Sequence, residues 1–375
     1  MLTARYGARP HPGWMDATQY LGAVPLYPRA HYVAELRAEL PAAAFAPSRS
    51  RLVWMPLHLV AIVAASLAIA GRWVPWGVVP VLSLAIGLSF ACLTFVAHEA
   101  LHGGVVRGKV LQRVVGWIGF LPFMLSPTLW VAWHNNAHHG NTNSPIDPDG
   151  YPTLAEYRAH AGARFAVDAF SLGGGRWRGG LSLILGFTVQ SAHQLYVAQR
   201  SRFLTPRRHA VAIAETALGV IAWGTVAALV GFLPFVFIFV LPHLVANVCV
   251  MAFILTNHSL SPRIPVNDPL VSGLSVTSGK LVEWMTLRFG YHVEHHLFPA
   301  MSSRHAPTVR ALVRRHWPER YQSMPLGDAV RALHHTGRVY KDDVTLVDPR
   351  SGGEFPVLLP RDQTGASARR AAMTV

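Results

Sequence analysis

The sequence predicts an all-α integral membrane protein: four transmembrane helices in two hairpins with a cytoplasmic helical cap carrying a di-metal histidine site. Three observations predict it. Hydrophobic residues make up 51% of the 375 and charged residues only 14%, against about 25% charged in soluble domains. Four apolar runs are long enough to cross a bilayer core, which takes about 20 helical residues. The 20 histidines are clustered rather than spread.

Residues 1–51 are polar and Pro-rich and lack the early apolar core of a secretory signal. They read as a cytoplasmic segment. The membrane domain is expected over 52–340. Its first two spans fall at about 52–71 and 74–97. The link from Gly71 to Pro75 is short enough to make them an antiparallel hairpin. Val114 to Leu125 is apolar but short and broken by Pro122 and Pro127, which predicts an interfacial or half-inserted helix. Gly173-Gly174-Gly175 and Gly179-Gly180 mark a loop. Leu181 to Val197 carries Gln190, His193 and Gln194 and is expected at the interface. Arg200, Arg202, Arg207 and Arg208 form a basic cluster. The third and fourth spans fall at about 210–230 and 232–255, with Gly231 and Pro234 at their turn. Residues 256–338 have the pattern of amphipathic helix. From Lys341 the pattern fades, and 341–375 is expected to be a flexible tail.

Charge orients the chain. The formal net charge is +14, and the links between paired spans carry Arg72 or nothing. The basic residues crowd the N-terminal, middle and C-terminal segments. By the positive-inside rule all three face the cytoplasm. Only Lys109, Lys280 and Lys341 are lysines among 33 basic residues. That Arg bias, with abundant Ala, points to a GC-rich bacterial genome and hence to the inner membrane. So apolar a chain is not a soluble nucleic-acid binder. Cys92 and Cys249 sit inside apolar runs, which excludes a disulfide framework and a Cys-ligated zinc or iron–sulfur site.

The histidines carry the chemistry. His98-Glu99-Ala100-Leu101-His102 follows the second span. His134-Asn135-Asn136-Ala137-His138-His139 lies in the middle segment. Asn257-His258 follows the fourth span, and His292-Val293-Glu294-His295-His296 lies in the C-terminal segment. Residues three or four apart share a helix face. His98 with His102, His134 with His138, and His292 with His295 and His296 are therefore expected to point together. His139, about 100 degrees round from His138, is placed to reach a second metal. All four elements leave the membrane on one side. A tetrahedral zinc needs three or four ligands. Nine imidazoles suit two metals of higher coordination, and imidazole is a good ligand for iron.

These boxes, HEALH, HNNAHH and HVEHH, resemble those of the integral-membrane fatty acid desaturase family. Tyr291 to Pro299 is similar to that family's third box with its usual extension, His139-Gly140-Asn141-Thr142-Asn143 is also similar, and His258 stands where many members carry an extra ligand. The resemblance covers roughly residues 50–320. It implies a non-haem centre of two iron ions, O2 as co-substrate and two electrons from a partner. It further implies an acyl chain, on a lipid or a thioester, as substrate. His98, His102, His134, His138, His139, His258, His292, His295 and His296 would be the metal ligands. Glu99, Asn135, Asn257 and Glu294 are expected to orient them through the free ring N–H.

Other readings stand beside this one. HEALH alone matches the zinc protease helix H-E-x-x-H, with Glu99 as general base. Hydroxylases and carotenoid-modifying oxygenases share the boxes, and box spacing does not separate them from desaturases. His11-Pro12-Gly13 resembles the start of a haem motif in fused cytochrome b5-like domains. Too few residues follow it before the first span, so the donor is expected to be a separate ferredoxin-like protein with its reductase. The basic surface would meet that donor or anionic membrane lipids. His58, His193 and His243 are expected to be structural, hydrogen-bonded to neighbouring helices.

Overall fold

The computed structural model describes residues 19–201 and 203–360. His11, Arg202 and the last part of the expected tail lie outside them. Among the described residues, four helices are long and apolar enough to cross a bilayer: Ala42–Ala70, Val79–Leu101, Pro206–Val230 and Phe232–His258. The second starts later than the sequence pattern suggested. Residues 71–78 are spent on turns around Pro75, and the helix then runs on through the first histidine box. A chain of apolar residues ending in His98 and His102 is one continuous helix, so its hydrogen-bonding ladder carries both rings at a fixed pitch.

The second and fourth spans pack directly on each other. Gly87 makes this possible: a Cβ there would lie 2.7 Å from Val245 Cβ and 2.8 Å from the Pro242 carbonyl oxygen. Small residues let helices approach where lipid supplies no hydrophobic drive. Gly119 does the same for the helix Lys109–Phe120, whose Cβ position is 2.6 Å from the Leu93 carbonyl oxygen.

The short apolar run after Lys109 belongs to a bent pair of helical stretches, Lys109–Phe123 and Pro127–Asn141, which meet at 104°. Met124 takes a left-handed conformation at the bend, and Ser126 caps the next helix by accepting from Leu129 N. Glu215, from the third span, closes the bend. Its carboxylate accepts from Ser126 Oγ at 2.6 Å, Thr128 N at 3.1 Å, Thr128 Oγ1 at 3.0 Å and Arg113 at 2.5 Å. An ionisable residue on an apolar span survives when every lone pair finds a donor.

The chain is mostly helical but not all-α. Gln19–Leu21 pairs antiparallel with Val24–Leu26, and Ser275–Thr277 pairs parallel with Ser323–Pro325. Val339–Asp342, Thr345–Val347 and Glu354–Pro356 form an antiparallel sheet. This corrects the expectation of a flexible tail from Lys341, at least to residue 360. Tyr340 donates its hydroxyl to the Ser261 carbonyl at 2.7 Å and its N–H to Pro152. The buried Arg338 guanidinium donates to the Ser259 carbonyl. Strands of three or four residues are too short for a period-two pattern to register.

Candidate metal centre

All nine histidines converge. His98 and His102 occupy the last turn and cap of the second span, and His258 ends the fourth. The second box lies on a π-helical stretch, Val131–His138, rather than an α-helix. Its hydrogen bonds skip to i+5, so His134 aligns with His139, their Nε2 atoms 3.2 Å apart. The third box is the short helix His292–Leu297.

The rings sort into two neighbouring sets. His98, His102, His134 and His295 bring ligand nitrogens within 4.8 Å of one another. His139 joins them through Nε2, 3.1 Å from that of His295. The second set is His138, His258 and His296, again within 4.8 Å. His292 joins it with its Nε2 2.5 Å from that of His258. The third box is therefore split: His295 faces one set, His292 and His296 the other. His134 and His138 do point together, their rings stacked at 5.2 Å and their ligand nitrogens within 4.8 Å of each other and of an Asp149 oxygen, while each also belongs to a different set.

The donor chemistry fits a cation in each set. His258 Nδ1 donates to the Ser272 carbonyl at 2.8 Å. Thr142 Oγ1 gives its hydrogen to the His138 carbonyl and receives that of His296 Nδ1 at 3.3 Å. A neutral imidazole has one N–H. With both Nδ1 atoms donating, the facing Nε2 atoms of His258 and His296, 3.1 Å apart, both present lone pairs. Such lone pairs repel unless a metal lies among them. In the other set, the buried Nε2 of His102 has no hydrogen-bond partner among the described residues. Burial, with His138 nearby, holds His295 down at about 3. Burial and crowding by other imidazoles hold His292 and His296 well below the usual histidine range. Unprotonated nitrogens are what a metal requires; His138 differs, because against its burial the carboxylates of Asp147 and Asp149 push it up to about 9.

Sequence reasoning missed the carboxylates that orient this centre. His138 Nδ1 lies 3.0 Å from Asp147 Oδ1 and 3.5 Å from Asp149 Oδ2. Asp147 also accepts from Asn143 N and Asp149 N, which folds the loop around it. Asp149 accepts from Trp133 Nε1 at 2.7 Å and Gln190 Nε2 at 2.8 Å. In sequence, Asp147-Pro148-Asp149-Gly150 is an acidic, loop-like run outside any span, and the tertiary fold carries it to the ring. Asn143, in a left-handed conformation, donates to the carbonyls of His258 and Pro262.

Of the four residues expected in that role, three are engaged elsewhere and the fourth, Asn257, bonds to none of the rings. Glu99 accepts from Arg51 at 2.9 Å, Ser302 Oγ at 2.5 Å, and Ser303 N and Oγ. Its saturated carboxylate cannot serve as a protease base. Glu294 accepts from Ser275, Arg310 and Tyr321, bracing the third box from outside. Asn135 donates to the Leu101 carbonyl. Asn257 Oδ1 has no partner among the described residues.

A cavity of about 350 Å³ opens against both sets. His98, His134, His138, His258 and His292 form one wall. Phe120, Phe187, Val250, Met251 and Ile254 supply apolar surface, and Gln190, His193 and Gln194 a polar flank. His193 thus lines the cavity. His243 is bonded to Thr188 at 2.7 Å and to the Pro122 carbonyl, and His58 to Ser89.

A family model described as fatty acid desaturase matches residues 72–326. The chain is 24% identical over 278 residues to the sn-1 oleoyl-lipid 12-desaturase of Arthrospira platensis, covering 70% of this chain and 75% of that protein. It is 31% identical over 119 residues to the sn-1 acyl-lipid omega-3 desaturase (ferredoxin) of Synechocystis sp., covering 32% of this chain and only 33% of that relative. A Delta(5) fatty acid desaturase of Caenorhabditis elegans is 22% identical over 255 residues, 62% of this chain and 56% of the relative.

Proposed function

The chain belongs to the fatty acid desaturase family, and from that premise we propose that it is a membrane-bound, O2-dependent acyl-lipid desaturase. The observation that carries the reading is the convergence of nine imidazoles in two sets, five of which form one wall of a largely apolar cavity. Two non-haem irons, one per set, would supply removal of two hydrogens from adjacent methylenes, with two external electrons and two protons completing the reduction of O2 to two waters.

The chain's own residues do the rest. The nine histidines hold the metals. Asp147 keeps the proton on Nδ1 of His138, and the Ser272 carbonyl does so for His258, so each turns a lone pair inward. The apolar cavity wall holds the acyl chain against the histidines and excludes water from it. The relatives' names support a glycerolipid as acyl carrier and a separate ferredoxin-like protein as donor; a reductase would reload that donor. The spans would form two hairpins in a bacterial inner membrane, with the histidine cap on the cytoplasmic side. Arg-rich segments beside the spans support that orientation.

The test is turnover by purified protein in lipid nanodiscs with ferredoxin, its reductase and O2. Acyl products lacking two hydrogens, with about two irons per chain, are expected. Products that gain one oxygen would make it a hydroxylase. A single zinc per chain would overturn the di-iron reading.

A further inference from the structure

A second hollow, of about 440 Å³, lies beside the acyl cavity. Arg176, Arg178 and Arg350 line it, with Asp168, Trp177 and Leu181. The same two helices line both hollows. On the helix Ala161–Phe170, Val167 and Phe170 line the acyl cavity while Asp168 lines the hollow. On the helix Leu181–Val197, Leu181 lines the hollow and Ser182 the cavity.

The arginines are presented by a built turn. Gly174 and Gly175 are both left-handed, and their N–H groups donate to the carbonyls of Thr336 and His334. A side chain at Gly174 would collide with Arg350 Nη2 and Asp348 Oδ2. The turn delivers Arg176 and Arg178, which have no acidic partner among the described residues. Arg178 lies over the Trp177 ring at 5.6 Å. Arg350 is bound to Asp348 at 3.0 Å and more loosely to Asp168 at 3.6 Å.

The surroundings are those of a membrane surface. Trp177 is 81% exposed, and Leu181, Ile184 and Tyr196 continue an exposed stripe along one helix face. Indole rings and apolar stripes of this kind settle at the headgroup level. Guanidinium groups match phosphate oxygens with paired N–H donors.

We propose that this hollow holds the phosphodiester headgroup of an intact anionic phospholipid, whose acyl chain passes between the two helices into the cavity. The inference rests on the desaturase reading above. The phosphate would draw Arg350 from Asp168, loosening the helix that walls the cavity. Coenzyme A carries phosphates too. The exposed indole and apolar stripe select the lipid, because they would be wasted on a soluble thioester.

The test compares the full chain with an Arg176→Glu, Arg178→Glu variant in nanodiscs. Native mass spectrometry reads lipid retained by each, and kinetics follow with phosphatidylglycerol and a neutral glycolipid bearing the same acyl chains. The expected result is a preference for phosphatidylglycerol that falls about tenfold in the variant, seen in KM rather than kcat, with metal content unchanged. A milder Arg176→Gln, Arg178→Gln variant should show the same direction if the charge reversal misfolds. An unchanged preference overturns the proposal, as does an equal rise in KM for phosphatidylglycerol and the neutral glycolipid. Lipid preference lost in the variant, with no turnover by either protein, would uphold the headgroup site and sink the desaturase reading instead.

Discussion

His258 and His296 face each other Nε2 to Nε2 at 3.1 Å, while the Nδ1 of each is already committed as a donor. The pair comes from a membrane span and from the cap, and 38 residues separate them in sequence. Two lone pairs held this close, in a buried place, are consistent with a metal site. The Ser272 carbonyl and Thr142 hydroxyl fix the tautomers, so the geometry of the second set depends on residues outside the boxes.

The two sets should lose metal independently. His258→Ala or His296→Ala removes a ligand from one set, and His98→Ala or His295→Ala from the other. Each variant is expected to retain about half of the bound metal and no desaturation, while remaining in the membrane. Elemental analysis per chain reads this. Full metal content and activity in His295→Ala would refute the ligand assignment.

Asp147 should govern affinity without touching metal. Losing an orienting carboxylate behind a ligand imidazole costs about 10–100-fold in metal affinity. Asp147→Asn keeps an acceptor but removes the charge, and Asp147→Ala removes both. Chelator competition should rank wild type above Asn and Asn above Ala. Equal affinities across the three would show that His138 needs no such support.

Gly186 should set how long an acyl chain fits. It lines the cavity, and a Cβ there would lie 2.8 Å from Met251 Cε. Gly186→Leu should drive that flexible side chain into the cavity and shift preference toward shorter chains. Product profiles from mixed-length lipids test it, and an unaltered profile would place the chain elsewhere.

Glu215 should stabilise the fold rather than the chemistry. Its carboxylate closes the 104° bend through Ser126, Thr128 and Arg113. Glu215→Ala leaves those donors unmatched, and about 1–3 kcal/mol is the usual cost of orphaning a buried partner. A lowered unfolding midpoint in detergent, with metal content retained below it, is expected.

Much was legible in the sequence because the signals were local. Apolar runs longer than a bilayer is thick, Arg-rich flanks and three spaced histidine clusters lie within windows of a few to 25 residues. Helical spacing was enough to bring His98 and His102 together. It held for His134 and His138 as well, but it did not show that His134 also meets His139 across a π-helical stretch, or that His295 turns from His292 and His296. Nothing in local sequence announces a change of helical hydrogen bonding.

The sequence by itself determined the membrane spans, the family and the nine histidines, since each depends on residue type and short spacing. The tertiary structure alone decided which histidines share a set, that Asp147 rather than Glu99 or Glu294 orients a ring, and where the cavity opens. It also decided that residues 339–356 form a sheet. Those outcomes depend on which groups meet across long separations, such as the 156 residues between His139 and His295. Burial, which forces every polar group to find a partner, settles such pairings only when the whole chain is folded.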